Sequence, residues 1–351
     1  MTSSLVRLTG TDHDKAFGLR DTLLSRALSE NGRGIRSLPE YLEYLAGRTV
    51  CLTLLAGAGS RWVDSLRQAY AEGRDLRFDP ARPRGLFPVR NSLGRGPDPV
   101  PIAAYAVDAF RGLGSRVIVV RGWEAEIDRE ILEPLGIRPE ERRFFTQEAP
   151  LGKPLGHGDA VWQCRDLWKR ADYVLVNFGG DASSPFTART ALVVLDALVS
   201  MEEPAALLLP AARFENPAYP IALDSYGRPA SFGHAKLSGT AVRAASGWAN
   251  VGLRAYKASS LLALCETIRA EHWKDGEGYA IPGNDPAGRE FALDNVDARL
   301  AEGRLVRLLA SALPEELSPV KSLADVPAFE AAAARVRRDA ESLLESAPED
   351  A

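Results

Sequence analysis

Short apolar runs, separated by segments of helical spacing, constrain the fold of this 351-residue chain more than any other feature of its sequence. The runs cover residues 49–55, 116–120, 173–178 and 205–209. Unbroken apolar runs of this length are typical of strands that are buried on both faces of a parallel sheet. Helical periodicity in residues 102–113 and 187–199 separates these strands. The alternation predicts an α/β fold with a mostly parallel, doubly wound sheet.

The two ends of the chain differ from this pattern. Residues 12–47 have helical spacing broken by NGRG, and the tail after about residue 299 also indicates helices. We therefore predict a helical N-terminal extension (1–47), a central domain (48–300) and a helical C-terminal extension (301–351). The extensions are candidates for covering sheet edges or for a contact in a homo-oligomer.

Composition excludes several classes of protein. Hydrophobic residues make up 46% of the chain and charged residues 26%, with a net charge of -4, which is typical of a globular protein. This balance argues against nucleic-acid or anionic-membrane partners. Cys51, Cys164 and Cys265 are widely spaced and predict reduced, buried thiols. We expect a cytoplasmic protein, because neither a signal sequence nor a stretch of about 20 apolar residues is present.

Ligands of doubly wound sheets bind beyond the carboxyl ends of the strands, so the turns there are the candidate binding segments. The first turn, LLAGAGSRW (54–62), contains Gly57 and Gly59, which allow close approach of a phosphate to backbone N–H groups, and Arg61 adds a charged donor. No GKS or GKT follows, so this is not a Walker loop. A simple tight turn is the alternative interpretation.

Two further loops carry polar side chains suited to a nucleotide. PRGLFPV (83–89) offers Arg84, although an arginine in such a loop, taken alone, is usually solvated. QEAPLGKPLGHGDAVWQ (147–163) offers Gln147, whose amide can donate to and accept from a base edge. Gly156 in the same segment allows a flat ring to approach closely.

A histidine and two aspartates in the later loops are candidate metal ligands or acid/base groups. His157 and Asp159 suggest an acid/base pair or a metal site, but the four histidines lack the spacing of a transition-metal site. VNFGGDASSP (176–185) places Asp181 after an apolar strand, where a carboxylate suits a hard cation such as Mg²⁺. The alternative role for this segment is the N-cap of the next helix.

In this order, the segments resemble the sugar-1-phosphate nucleotidyltransferase superfamily, and its UDP-sugar pyrophosphorylases in particular. LLAGAGSR resembles the family's L-x-A-G-x-G-T-R loop, and PRGLFPV resembles P-K-x-L-x-P-V. PLGHGD resembles the base-binding segment of UDP-glucose-type enzymes, and NFGGD resembles the metal-binding strand end. Further along, DSYGRPASFGHAKLSG resembles YGRI followed by E-x-K, GWANVGLRAY resembles N-x-G-I, and EFALDNV resembles E-Y-Y-L-T-D-V.

The resemblance implies a Rossmann-like α/β catalytic domain with a mostly parallel mixed sheet and helices on both faces. The implied reaction joins a nucleoside triphosphate, UTP by the PLGHGD form, to a sugar 1-phosphate with release of pyrophosphate. The catalytic residues implied are Arg61 and Arg84. The implied nucleotide-binding residues are Leu55, Ala56, Gly57, Gly59, Gln147, Gly156 and His157. The implied sugar-binding residues are Gly227, His234 and Asn250, and the ligands of the Mg²⁺ cofactor are Asp181 and Asp294.

The chain departs from the family pattern in three places. Arg84 stands where the family usually has lysine, His234 stands where it has glutamate, and the connection over residues 61–83 is long. Three alternatives therefore stay open: a cytidylyl- or guanylyltransferase, a catalytically weakened nucleotide-sugar-binding or regulatory protein, and a Rossmann oxidoreductase. The last alternative needs an acidic ribose contact, for which Asp75 and Asp79 are the candidates.

Overall fold

A nine-stranded mixed sheet lies at the centre of the computed structural model, which describes residues 5–6, 38–56, 59–179, 188–201, 205–214, 220–232, 247–282, 284, 289–309 and 314–344. The strands of the described residues are β1 (Leu5–Val6), β2 (Thr49–Leu54), β3 (Pro88–Val89), β4 (Val100–Pro101), β5 (Ser115–Val120), β6 (Arg142–Thr146), β7 (Tyr173–Phe178), β8 (Leu207–Arg213), β9 (Ile221–Leu223), β10 (Pro229–Phe232), β11 (Trp248–Asn250), β12 (Arg254–Lys257), β13 (Trp273–Lys274), β14 (Gly278–Tyr279) and β15 (Val306–Leu309).

Helices connect these strands. They are α1 (Leu38–Ala46), α2 (Ser60–Ala71), α3 (Ala103–Asp108), α4 (Glu124–Ile127), α5 (His157–Gln163), α6 (Ala188–Val199), α7 (Ala258–His272), α8 (Leu293–Glu302) and α9 (Val326–Leu344). Short 3-10 turns span Arg84–Leu86, Pro139–Glu141, Arg165–Leu167, Pro314–Glu316 and Leu323–Asp325, and a π-helical turn spans Asp128–Leu132. Within the described part of the chain, no helix combines the length and apolarity needed to cross a bilayer.

The central sheet has the order β1-β15-β8-β12-β7-β2-β5-β6, and β11 pairs with β8. β12 runs antiparallel to both of its neighbours, β7 and β8, whereas the other neighbours along this path are parallel. The expected α/β fold with a mostly parallel mixed sheet is confirmed. β1 and β15, from the two terminal segments, pair with each other in this sheet, which the sequence analysis did not predict.

Helices cover both faces of the sheet, and β2 shows why. All six of its residues are buried. Val50, Leu52 and Leu54 belong to the core that also contains apolar residues of α5, α7 and α8. Cys51 points to the opposite face, into the core formed with α1 and α6. Because neither face of β2 meets water, its sequence is a continuous apolar run.

The helix predicted over residues 102–113 is shorter in the structure, where α3 ends at Asp108. The chain then turns through Gly112 at φ 73° and Gly114 at φ 147° before β5 begins. A side chain at Gly114 would collide with the backbone carbonyl of Thr49 on β2. The chain passes so close to the neighbouring strand here that it needs glycine in a non-helical conformation. The helix therefore ends before the predicted residue 113.

The buried cysteines give a test of this core. Cys51, Cys164 and Cys265 are free and buried, as predicted from the sequence. Burial raises the pKa of the Cys51 and Cys164 thiols to about 12, and it raises the pKa of Cys265 further. Because the thiolate is the reactive form, we expect all three thiols to react slowly with a disulfide reagent in the folded protein and rapidly in urea. Rapid labelling of any of them without denaturant would contradict this packing.

Candidate functional site

The carboxyl ends of β2, β5, β6 and β7 share one edge of the sheet, since these strands are parallel. At β2 the order of the strands divides, with β5 on one side and β7 on the other. The backbone pairing continues past the strand ends, where Leu55 N donates to Val119 O at 2.7 Å and Gly179 N donates to Leu54 O at 3.1 Å. Such a division is where doubly wound sheets bind ligands.

The glycine loop after β2 leads directly into α2. Leu55 is buried and Ala56 half-buried, whereas Gly57 lies outside the described residues. Gly59 precedes the first turn of α2 in a left-handed conformation with φ 64°, which favours glycine. Arg61 is exposed on that first turn. The loop therefore brings an arginine and the N-terminus of a twelve-residue helix to the mouth of β2.

Arg84 lies against this loop and is only 2% exposed, so the solvated interpretation of it is wrong. Its Nη1 atom is 3.4 Å from the place where a Cβ on Gly59 would lie. The next residue, Gly85, packs against the ends of both central strands, because a Cβ there would meet Gly179 O at 3.2 Å and Leu55 Cδ2 at 3.3 Å. The second predicted loop is thus folded over the first.

Aromatic packing holds the Arg84 loop in place. Phe87 lies edge-on to Trp62 of α2, with ring centroids 4.9 Å apart, and edge-on to Phe78, at 5.1 Å. Phe87 N donates to Arg84 O and closes the 3-10 turn. The guanidinium is therefore carried by a segment that is anchored in the core, in contrast to Arg61 on the surface.

Gln147 follows β6 at the same edge and is buried. Its backbone N donates to Val120 O at 2.8 Å, and its side-chain Nε2 donates to Gly156 O at 3.3 Å. The side chain of this predicted base-binding residue is thereby tied to the start of α5.

The space beside Gly156 is filled by another segment of this chain. Gly156 has φ 94°, and a Cβ there would collide with the carbonyl of Phe291. A Cβ on Gly158 would lie 2.8 Å from the Phe291 ring. The chain closes this contact with hydrogen bonds from Phe291 N to Leu155 O and from Gly158 N to Phe291 O. Close approach does require these glycines, but in this structure the approaching group is Phe291.

His157 joins the N-termini of α5 and α8. Its Nδ1 accepts a hydrogen bond from Leu293 N at 2.8 Å, so Nδ1 carries no proton in this arrangement. Its ring lies edge-on to Phe178, the last residue of β7, with centroids 5.0 Å apart. The other ring nitrogen, Nε2, is 3.8 Å from Asp294 Oδ2. Two residues assigned separately from the sequence, His157 and Asp294, therefore meet at the mouth of β7.

Arg254 links Asp294 to the core, a contact that the sequence analysis missed. Its Nη2 donates to Asp294 Oδ1 at 2.7 Å and its Nε donates to Asp297 Oδ2 at 2.8 Å. Tyr256 donates its hydroxyl proton to Asp297 Oδ1 at 2.5 Å. Burial raises the pKa of Asp297 to about 6, although the Arg254 charge opposes that shift. The signal in the sequence was an arginine within the mostly apolar segment WANVGLRAY (248–256), where a buried cation needs a partner.

Asp294 can supply one ligand to a cation. Its side chain is 43% exposed, its Oδ1 atom accepts a hydrogen bond from Arg254, and its Oδ2 atom is 3.8 Å from His157 Nε2. The other predicted ligand, Asp181, lies three positions after Phe178 and outside the described residues. Among the residues that the structure describes, no three His, Cys, Asp or Glu side chains form a metal site. Mg²⁺ needs only one or two carboxylates when substrate phosphates complete its shell, so Asp294 fits such an ion.

The predicted sugar-binding residues are less closely connected. Asn250 uses Oδ1 to accept Gly252 N at 2.9 Å, a turn within its own segment. Gly227, with φ 75°, lies in the hairpin turn between β9 and β10, where its N donates to Asp224 O. His234 lies outside the described residues. Within the described part of the chain, the structure brings predicted nucleotide-binding residues close to the predicted metal ligand Asp294 more clearly than it does the predicted sugar-binding residues.

Comparison with known proteins does not assign a family: no family model matches the chain, and a search of curated proteins finds no match.

Substitution of Gly156 tests the contact with Phe291. We expect Gly156→Ala to lower the free energy of unfolding by about 1–3 kcal/mol for the backbone strain, because φ 94° and ψ 170° are essentially restricted to glycine, and by a further ~1–3 kcal/mol for the collision. The matched control is Gly152→Ala, because Gly152 has a similar φ of 73° in the same loop but open space where its Cβ would lie. Urea unfolding of both variants gives the comparison. Equal losses in the two variants would mean that Phe291 does not occupy the space beside Gly156.

Proposed function

We propose that this protein is a nucleotidyltransferase of the Rossmann-like nucleotide-sugar-forming class. It joins a nucleoside triphosphate, with UTP preferred, to a sugar 1-phosphate and releases pyrophosphate. The proposal rests on the ordered sequence resemblance and on the mixed α/β sheet, in which three of the resembling segments lie at the carboxyl ends of β2, β6 and β7.

The observation that carries the proposal is the buried guanidinium of Arg84 beside the glycine loop. A triphosphate that lies on this loop would face backbone N–H groups at the start of α2, the Arg84 guanidinium and the exposed Arg61. Arginine suits this role because its planar fork can bind two phosphate oxygens at once. Fixed positive groups in a sheltered site stabilise the charge that develops on departing pyrophosphate.

The side chains of His157, Arg254 and Asp294 at the carboxyl end of β7 support the proposed metal-binding part of the site. Arg254 holds the Asp294 carboxylate in one orientation, and His157 lies on its other side. A bound Mg²⁺ would supply charge neutralisation for the phosphates. Asp294 would hold it together with Asp181.

The proposed chemistry needs no covalent enzyme intermediate. An oxygen of the sugar phosphate attacks the α-phosphorus, the new P–O bond forms, and the bond from the α-phosphorus to the bridging oxygen of the pyrophosphate breaks. The attacking phosphate is already anionic, so no general base is required. Catalysis then consists of positioning the reactants and neutralising charge, which is the work of the groups described above.

A nucleotide-sugar-binding protein without transferase activity is the second candidate. It is favoured by the ion pair of Asp294 with Arg254, because a metal ion would have to share that carboxylate. The oxidoreductase alternative has less support. Asp75 and Asp79 lie exposed in the loop after α2 and do not directly follow a strand, and each accepts a hydrogen bond from a backbone N–H two residues on.

The test is pyrophosphate release with magnesium, four nucleoside triphosphates and a panel of sugar 1-phosphates. We expect release with the wild type and a fall of roughly 10²- to 10³-fold in kcat for Arg84→Gln. Asp181→Ala is expected to abolish release. The matched control is Arg82→Gln in the same loop, because Arg82 points to Glu130, with Nη2 2.5 Å from Oε2. We expect that control to change the rate by less than about threefold.

Equal losses for Arg84→Gln and Arg82→Gln would contradict the role of Arg84. Absence of release with any pair of substrates, together with measurable binding of a UDP-sugar, would favour the binding protein.

A further inference from the structure

A buried carboxylate lies directly behind the predicted base-binding residue, and the proposed reaction does not use it. Asp159 of α5 is 1% exposed. Its Oδ1 accepts a hydrogen bond from the Tyr279 hydroxyl at 2.7 Å, and its Oδ2 accepts one from Gln163 Nε2 at 2.6 Å. Both oxygens are thereby held in fixed positions.

Aromatic rings hold the Arg269 guanidinium near this carboxylate. The guanidinium carbon of Arg269 lies 3.8 Å from the ring centroid of Trp162 and 4.2 Å from that of Trp273. Arg269 Nη1 donates to the Tyr279 hydroxyl at 2.9 Å and lies 3.8 Å from Asp159 Oδ1. Asp159 therefore cannot turn without breaking contacts on three side chains.

The segment that carries Gln147 is tied to the same group. Gln163 donates to Asp159 and also accepts Glu148 N on its Oε1 atom at 2.8 Å. It thus fixes the backbone immediately after Gln147. Burial raises the pKa of the Asp159 carboxyl, and the Gln147 amide lies close enough to it to be one of the groups that oppose this rise.

The orientation of the Gln147 amide follows from these neighbours. Its Nε2 donates to the Gly156 carbonyl at 3.3 Å, and the Asp159 carboxylate beside it is a second acceptor. Carbonyl and carboxylate oxygens cannot donate, so the NH₂ end of the amide must face them. Oε1 is then the amide atom that is turned away from both and is available to a ligand.

We propose that Asp159 is a positioning residue that fixes the side-chain oxygen of Gln147 toward the nucleotide. The site then selects bases whose ring nitrogen on the Watson–Crick edge carries a proton. This inference rests on the proposed nucleotide site. Uracil, thymine and guanine carry that N–H. Cytosine and adenine carry a lone pair on that nitrogen. It would face the Gln147 oxygen, and neither of these two acceptors would then receive a hydrogen bond. One mismatched contact of this kind corresponds to roughly 10- to 100-fold in affinity.

The test is equilibrium binding measured by calorimetry on the full chain, with magnesium and without sugar phosphate. For the wild type we expect UTP to bind roughly 10- to 100-fold more tightly than CTP or N3-methyl-UTP, in which the N–H is blocked. For Asp159→Asn we expect the preference for UTP over CTP to fall to within about threefold, because the asparagine amide can donate to Gln147 and release its orientation. The matched control is Asp166→Asn, because Asp166 is an exposed carboxylate close to α5 that pairs with Lys169. The preference of the Asp166→Asn protein for UTP over CTP should equal that of the wild type.

A folded Asp159→Asn protein that keeps the wild-type preference would overturn the proposal. If that variant does not fold, the ligand series on the wild type decides, and binding of N3-methyl-UTP or CTP as tight as that of UTP would overturn it. Because binding is measured without turnover, selective binding without pyrophosphate release would leave this inference in place and contradict nucleotidyl transfer. Pyrophosphate release without base selectivity would support nucleotidyl transfer and overturn this inference. No binding of any triphosphate would overturn both.

Discussion

The hydrogen bonding of β2 to a parallel neighbour on each side is the constraint on which the rest of the site depends. β2 is buried on both faces and paired along both edges, so its carboxyl end can emerge only between the ends of β5 and β7. The pairing of Leu55 with Val119 and of Gly179 with Leu54 carries this order into the loops. Segments that are more than 100 residues apart in the chain therefore meet within a few ångströms. The site is a consequence of that strand arrangement.

Charged groups at this edge are held by specific partners. Arg254 lies between Asp294 and Asp297, and Tyr256 completes the hydrogen bonding of Asp297. A buried ion pair of this kind adds little to the net free energy of folding, but removal of one partner leaves an unpaired charge and is costly. Its main consequence here is geometric, since it keeps one Asp294 oxygen fixed and the other near His157. Asp159, held by Tyr279 and Gln163, lies beside Gln147 in a similar arrangement.

Much of the fold could be predicted from the sequence, because buried parallel strands give continuous apolar runs. The runs at 173–178 and 116–120 correspond to β7 and to all but the first residue of β5. The glycine loop was also predictable, since it directly follows the apolar run of β2, whereas the Arg84 loop was recognised by its resemblance to P-K-x-L-x-P-V. The contacts that shape the site were not predictable: Phe291 against Gly156, Arg254 with Asp297 and Asp159 with Tyr279 each join segments distant in sequence. Short-range sequence patterns do not specify contacts between segments that are distant in the chain.

A crystal structure of the protein with UTP and magnesium would test the proposed site most directly. We expect the triphosphate to lie between the loop at Gly59 and the Arg84 guanidinium, with the uracil ring at Gln147 and its N3–H directed to Oε1. A nucleotide bound away from the carboxyl ends of β2 and β7, or a triphosphate without contact to Arg84, would contradict the proposed site.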